Sequence, residues 1–289
     1  MKIVNILGGL GNQMFQYAFL VALRETFHDT TLMDTSVFHT YGLHNGFELE
    51  RLFHITARSA TPKELRKVTW YSRSYFVHRV LKRLPHRKTE CYELPHCDYN
   101  PNILRDNSDF YYYGIWQDYR YFAPYREEIL HEFTWKEPLD ERNRQLLNSL
   151  DDENLVSIHV RRGDYLLHSN YAGLCGLDYY AAAIQKVKEL HTSPVTFLVF
   201  SDDIPWCKEH LPALTEKSKV IYVDWNTGMD SYKDMRLMAF CRTNIIANSS
   251  FSWWAAYMNP HSDQLVIAPK RWTNADTHFD RQLPEWILV

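Results

Sequence analysis

LVSIHVRRGD, residues 155–164, decides the fold: the apolar run Leu155–Val160 has strand character and stops abruptly at Arg161, Arg162, Gly163 and Asp164. The same arrangement recurs downstream. Thr196–Phe200 (TFLVF), Val220–Val223 (VIYV), Asn244–Ala247 (NIIA) and Leu265–Ala268 are further short apolar runs. Helical stretches separate them: Asp178–Leu190 with Asp178 placed to cap it, a short helix with Pro205 near its first turn, Ser231–Phe240 and Ser250–Met258. Strands alternating with helices in this way predict a parallel sheet wrapped by helices, an α/β fold.

The chain opens in the same style. Lys2–Leu7 reads as a strand, Gly8–Gly11 as a tight turn, Asn12–Glu25 as a helix and Thr31–Met33 as a second strand. Residues 35–110, rich in His, Arg and aromatic side chains, resist assignment. Phe110–Ile115 then reads as a strand, and Glu127–Phe133 and Glu141–Leu150 as helices. The polar break Asp151–Asn154 predicts a boundary between an N-terminal domain, 1–153, and a C-terminal domain, 154–289.

In an open parallel sheet, ligands gather beyond the carboxyl ends of the strands. Here those ends carry His159 with Arg161-Arg162-Gly163-Asp164, then Ser201-Asp202-Asp203, Asp224, Asn248-Ser249-Ser250 and Lys270-Arg271. Paired arginines can fork onto phosphate oxygens. Serines at a helix start add hydroxyls and backbone N–H groups for an anion. A carboxylate such as Asp202 or Asp203 can accept from the N1–H and exocyclic amine of guanine. Together these point to a purine diphosphate, guanine before adenine. The competing role of Arg161-Arg162 is an internal ion pair with Asp164.

Composition removes other classes. A chain 45% hydrophobic and 15% aromatic is globular, and a net charge of −3 offers no general field for nucleic acid. No run of eighteen apolar residues predicts a membrane span, and the N-terminal run is too short for a secretory signal. Five cysteines (91, 97, 175, 207, 241) without a CxxC read as reduced core thiols of a cytoplasmic protein. No HExxH, Asp-x-Asp pair or Cys/His cluster suggests a metal, so arginines and helix starts are the expected counter-charges. The turn Gly9-Leu10-Gly11-Asn12-Gln13-Met14, with Asp34 ending the next strand, imitates a dinucleotide fingerprint. Met14 stands at its third glycine, where a side chain obstructs close helix–strand packing. A Rossmann-type, dinucleotide-dependent oxidoreductase is therefore the alternative rather than the first reading.

Six blocks carry a resemblance: Gly8–Tyr17 (GGLGNQMFQY), Tyr113–Phe122 (YGIWQDYRYF), Ile158–Tyr165 (IHVRRGDY), Leu177–Ala183 (LDYYAAA), Phe200–Asp203 (FSDD) and Asn248–Trp254 (NSSFSWW). Over essentially its whole length the chain resembles the bacterial α-1,2-fucosyltransferases of glycosyltransferase family 11. The resemblance implies a GT-B-like fold, two Rossmann-like domains facing across a cleft, with acceptor bound N-terminally and GDP-fucose C-terminally. It implies that Arg161 holds the β-phosphate, that His159 and an Asp of the Ser201-Asp202-Asp203 motif lie near the guanosine, and that Ser249 and Ser250 contact phosphate beside Asn248. It also implies that Asn12 reaches the diphosphate or sugar. The reaction it implies is metal-independent and inverting, moving L-fucose from GDP-β-L-fucose to the 2-hydroxyl of a terminal β-galactoside, with no cofactor beyond the donor substrate. Another nucleotide sugar is the alternative within the class.

Three assignments stay open on sequence alone. Asp164 is the first candidate for a general base, ahead of His168 and Asn12, but holding Arg161 or Arg162 in place is the role preferred for it. Trp116, Gln117 and Tyr121, with Tyr113, form an aromatic–polar group that either stacks an acceptor sugar or packs the core. Residues 63–88 hold nine Lys or Arg against one acid, with Val77, Val80, Leu81 and Leu84 at helical spacing. One reading is peripheral contact at the inner membrane face, suited to a lipid-linked glycan acceptor; the other is a solvated face.

Overall fold

The computed structural model describes residues 1–40, 42, 44–70, 77, 80, 88–93, 99–108, 110–150, 154–216, 218–275 and 281–289. The chain divides into two compact units, Met1–Pro138 and Leu139–Val289.

The first unit holds β1 (Lys2–Asn5), α1 (Leu10–Phe27), β2 (Thr31–Asp34), α2 (Leu49–Leu52), α3 (Pro62–Val68), β3 (Glu90–Tyr92), β4 (Tyr111–Tyr113) and α4 (Arg126–Glu132). Its four strands are parallel in the order β2-β1-β4-β3. Nearly every residue of α1 from Leu10 to Leu23 is buried, as an almost uniformly apolar helix must be. The helix ends at His28, whose left-handed backbone (φ 50°) returns its N–H to the carbonyl of Arg24. Helix α3 starts on a reciprocal Thr61–Glu64 cap with Pro62 in its first turn. Strand β1 stops at Asn5, short of the expected Leu7, because the Leu7 N–H goes to the Gln16 side chain instead of a ladder.

The second unit holds α5 (Glu141–Asn148), β5 (Asn154–Val160), α6 (Leu177–Leu190), β6 (Val195–Ser201), α7 (Ile204–His210), β7 (Lys219–Val223), α8 (Tyr232–Phe240), β8 (Thr243–Ile245), α9 (Ser250–Tyr257), β9 (Leu265–Ala268) and β10 (Ile287–Leu288). All its strand pairs are parallel, in the order β10-β9-β8-β5-β6-β7. Strand β5 is buried along both alternations, as a central strand covered on both faces requires. Val156, Ile158 and Val160 join Tyr180, Ile184 and Val187 of α6 in one apolar cluster.

The five expected C-terminal strands are present, and three expectations change. The division falls after Pro138 rather than 153, because α5 is fastened to the second unit by polar contacts. Buried Asn143 exchanges side-chain hydrogen bonds with Asn226 (2.9 and 3.1 Å) and accepts from Trp225 Nε1 (3.0 Å), while Asp140 pairs with Lys233. Asp178 does not cap α6. Gly176 occupies the cap position, and the Asp178 carboxylate sits in the first turn, where the helix dipole favours it. Strand β10, two residues long, was below what an apolar pattern reveals.

Among the described residues no helix is long and apolar enough to cross a membrane. Of the four spaced apolar positions within 63–88, Val77 and Val80 are described and exposed; Leu81 and Leu84, and with them the amphipathic-helix expectation, lie outside the described residues. Cys91, Cys175, Cys207 and Cys241 are free thiols, and burial pushes Cys207 up to about 11. Cys97 lies outside the described residues.

Candidate functional site

In the second unit the crossovers from β5 to β6 and β7 run to one side of the sheet, and β8, β9 and β10 fill the other. The strand order therefore reverses between β5 and β8, and a crevice forms outside the carboxyl ends at such a reversal. The residues leaving β5 and β8 there are Arg161–Asp164 and Asn248–Ser250. Strand register sets Val160 opposite Ser201, so Asp202 and Asp203 emerge at the height of the arginine pair.

The two arginines are held differently. Arg161 Nη2 donates to Asp164 Oδ1 (2.7 Å) and Nη1 pairs with Asp202 Oδ2 (3.1 Å), with the guanidinium 5.4 Å from the Tyr165 ring. Arg162 Nε donates to Asp203 Oδ2 (3.1 Å) while its guanidinium lies 4.1 Å from the Trp206 ring. Asp202 Oδ1 also accepts the Arg162 backbone N–H (2.9 Å), and Asp203 Oδ1 accepts the Trp206 N–H (3.2 Å), capping α7. Every oxygen of the two carboxylates thus has a protein donor. Their geometry is that of arginine holders, and a base edge would have to share lone pairs already in use. Ser201 Oγ accepts from the Asp203 N–H (2.9 Å), bracing the same turn.

Gly163 makes this packing possible. A Cβ there would stand 2.7 Å from Asp202 Oδ2. Gly163→Ala is expected to push Asp202 off both arginines and to raise the KM for a substrate held by this rim by about tenfold, the worth of one charge-assisted hydrogen bond. Steady-state kinetics of the variant checks this; an unchanged KM would remove Asp202 from the site.

Asn248 Nδ2 donates to the Trp272 carbonyl (3.2 Å), tying the turn after β8 to the chain after β9. Ser249 caps α9, its Oγ accepting from Phe251 N–H (3.3 Å), and it hydrogen-bonds the buried Tyr165 hydroxyl, which burial pushes up to about 12. Ser250 begins the helix, whose first-turn N–H groups and dipole favour an anion. His159 is buried against the Phe251 ring, and desolvation, aided by Arg161, lowers it to about 3, so the imidazole is neutral. Three buried polar atoms at the ends of β5 and β9 have no protein partner: His159 Nδ1, Arg161 Nε and Thr273 Oγ1. Unsatisfied groups of this kind are few in folded proteins, and two of these, His159 Nδ1 and Arg161 Nε, stand two residues apart at the carboxyl end of β5.

Arg161, Asp164, Asp202, Asp203, Ser249 and His159, expected on one rim, lie together at the strand ends of the second unit. Tyr165 and Trp206, the rings under the two guanidiniums, were not among the expected site residues, although Tyr165 directly follows Asp164 and Trp206 lies three residues after Asp203. Asn274, likewise unexpected, donates its amide to the carbonyls of Ser169 and Ala172 and fixes the loop after Asp164. His168 packs its ring edgewise on Tyr171 within that loop.

In the first unit Asn12, Gln13 and Gln16 follow β1. Gln13 and Gln16 are fully buried and spend their amides on backbone: Gln13 on the carbonyls of Gly8 and Gly46 and the Glu48 N–H, Gln16 on Leu7 N–H and the Gly114 carbonyl. Asn12 is only partly buried, and its Oδ1 accepts from Gln117 Nε2 at 2.7 Å. Gly8, at φ 85°, has no room for a side chain, since a Cβ would meet Asn12 Nδ2 at 2.9 Å.

The aromatic group resolves as packing. Trp116 is 0% exposed and stacks on Phe19 at 4.2 Å; Tyr121 is 3% exposed, edge-on to both rings, its hydroxyl accepting from Asn100 N–H. With their faces covered, neither offers a platform to a sugar, which corrects their expected acceptor role. Trp116 also has a left-handed backbone, φ 56°, costing about 1–3 kcal/mol for a bulky residue.

Among the described residues no three His, Cys, Asp or Glu side chains gather as a metal site. The family model for glycosyl transferase family 11 matches residues 1–289. An α-1,2-colitosyltransferase of Escherichia coli is 31% identical over 99% of this chain and 98% of its own length. A galactoside α-(1,2)-fucosyltransferase 1 of Ateles belzebuth is 28% identical over 98% of this chain and 73% of its own. Among solved structures, the NodZ α-1,6-fucosyltransferase soaked with GDP-fucose superposes with a TM-score of 0.54 at 15% identity, covering 90% of this chain and 92% of that one. That likeness is one of fold, an α/β fold of GT-B type with parallel sheets. A match along the entire chain, with the arginine pair and the serine helix start standing at the strand reversal, leaves one assignment: the chain belongs to glycosyl transferase family 11.

Proposed function

We propose that this glycosyltransferase moves L-fucose from GDP-β-L-fucose to the 2-hydroxyl of a terminal β-galactoside, with inversion and without a metal. The observation that carries the reading is Arg161, held by Asp164 and Asp202 at the end of β5 with the α9 start on the neighbouring strand. In the reaction the acceptor oxygen bonds to C1 of fucose as the bond from C1 to the β-phosphate oxygen breaks. GDP leaves with the electron pair, and the hydroxyl proton passes to solvent or a nearby base. Negative charge grows on the β-phosphate and positive charge on the sugar, so fixed donors aimed at the phosphate stabilise the transition state more than the ground state. Arg161 and the first turn of α9 fill that role. Asp164 acts by holding Arg161, and the second unit is the donor domain, the first the acceptor domain.

A second donor is favoured by the colitosyl-transferring relative. Colitose is fucose without its 3-hydroxyl, so one phosphate site serves both. The deciding experiment follows GDP release with lactose as acceptor and EDTA present, comparing GDP-fucose with the 3-deoxy donor. Lactose-dependent release from GDP-fucose supports the proposal. Release from the 3-deoxy donor alone moves the chain to the second reading, and failure to bind GDP at all defeats both.

A further inference from the structure

We propose that Tyr165 is a positioning residue: with Arg161 against its ring and Ser249 on its hydroxyl, it sets the guanidinium and the start of α9 at one fixed spacing, so that the two hold an anion as a unit. The inference rests on the proposed function only in naming that anion as the diphosphate of the donor.

The two arms stand on different strands, and the sheet does not fix the distance between them. Arg161 follows β5 and Ser249 follows β8, neighbours across the strand reversal. Pairing between these strands ends at Ile158 with Ile245, short of both residues. Beyond that point the two turns need another tie. Tyr165 supplies it. Its ring centroid lies 5.4 Å from the Arg161 guanidinium, within the range at which a cation is drawn to an aromatic face. Its hydroxyl bonds Ser249, whose Oγ at the same time accepts the Phe251 N–H (3.3 Å) that caps α9. One side chain therefore touches both the arginine and the cap of the helix.

Tyr165 is itself held. Its ring stacks on Tyr171, with centroids 4.9 Å apart and planes 25° apart. The Tyr171 and Ala172 N–H groups both donate to the His168 carbonyl (2.9 Å each), closing the loop on itself. Asn274, beyond β9, ties that loop down: its N–H donates to the Asn170 carbonyl (2.7 Å), and its side-chain amide to those of Ser169 (2.8 Å) and Ala172 (2.9 Å). Packing alone would be served as well by phenylalanine. What tyrosine adds is the hydroxyl, which is costly to bury unless it is bonded.

An anion is what the paired arms suit. A guanidinium forks onto anionic oxygens, and the first turn of a helix presents backbone N–H groups to them. His159, 6% exposed and packed on Phe251 in that first turn, adds a buried Nδ1 that has no protein partner. Two arms on separate strands fit two linked phosphates better than one, provided that their spacing is kept.

Tyr165→Phe keeps the ring beside Arg161 and removes the tie to Ser249. Its Kd for inorganic pyrophosphate, measured by titration calorimetry, is expected to rise about three- to tenfold, with melting temperature as in the wild type. On GDP-fucose its kcat should fall about tenfold while the KM for the acceptor stays unchanged, a split that a general loosening of the fold would not give. In a Ser249→Ala background the same change should cost little further, because a single bond has been removed from either side. Tyr171→Leu, which loosens Tyr165 from behind, should show a smaller loss of the same kind and decides the matter if Tyr165→Phe does not fold. Wild-type pyrophosphate affinity in Tyr165→Phe, or losses that multiply fully with those of Ser249→Ala, would overturn the inference. So would a wild type that binds no pyrophosphate. A wild type that binds pyrophosphate but transfers no fucose brings down the proposed function alone, and the pyrophosphate titrations then decide the role of Tyr165.

Discussion

Arg161→Ala is expected to lower turnover on GDP-fucose by about 10²–10³ while the protein still folds, the loss typical of removing one preorganised donor to a developing anion. The upper part of that range applies because of what remains. Arg161 stands between Asp164 and Asp202, so the alanine variant leaves two carboxylates facing the phosphate without the cation that neutralised them. Lysine is no substitute: its ammonium can satisfy one carboxylate or one phosphate oxygen but not a fork of them. The fold should survive, since Arg161 lies beyond the last buried residue of β5 and half-exposed ion pairs contribute little to stability. The parallel change Arg162→Ala should act less on turnover and more on structure, because Arg162 is spent on Asp203 and the Trp206 ring. Turnover and thermal melting of both variants separate the roles. Near wild-type turnover in Arg161→Ala would remove the arginine from the leaving-group site and the proposed function with it.

How far the sequence could be read follows from which forces set each feature. The strands β5 to β9 were legible because a parallel sheet buries both faces, so its strands are predominantly apolar runs bounded by polar ends. That the polar strand ends share one edge was legible for the same reason. Which partner each end residue takes was not. Asp202 looked like a receiver for guanine, and its place under two arginine donors depends on Gly163 leaving room, a contact that no pattern of residue types displays. Trp116 and Tyr121 show the limit for aromatics: a ring that stacks on Phe19 and one that stacks on a sugar have the same letter. The left-handed turn at Trp116 was invisible because no glycine or asparagine signals it. The unit boundary was misplaced because α5 is claimed by a polar exchange between Asn143 and Asn226, residues far apart in the chain and unremarkable in it.

Asp234→Asn is expected to stabilise the protein above neutral pH and to leave it unchanged near pH 4. Asp234 lies in the first turn of α8, and its Oδ1 accepts from Asn226 Nδ2 at 2.8 Å. Desolvation raises its pKa from 3.8 to about 7, and the Asn226 bond opposes that only in part. Lys233, next to it on the helix, is paired instead with Asp140 and Asp230. Between pH 4 and 7 the folded chain therefore holds a proton that the unfolded chain has released. Stability falls as pH rises through that window, by at most about 1.4 kcal/mol per pH unit, and stays lowered above it. Because part of Asp234 remains exposed, the total is roughly 2–4 kcal/mol. Asparagine keeps the oxygen that Asn226 needs and has no proton to lose. Denaturant titrations at pH 4, 6 and 8 should give curves for the two proteins that coincide at the first and separate at the last. A gap that is the same at every pH would mean that the carboxylate is ionised throughout, and that the Asn143–Asn226–Asp234 chain joining α5 to α8 is built on a charge.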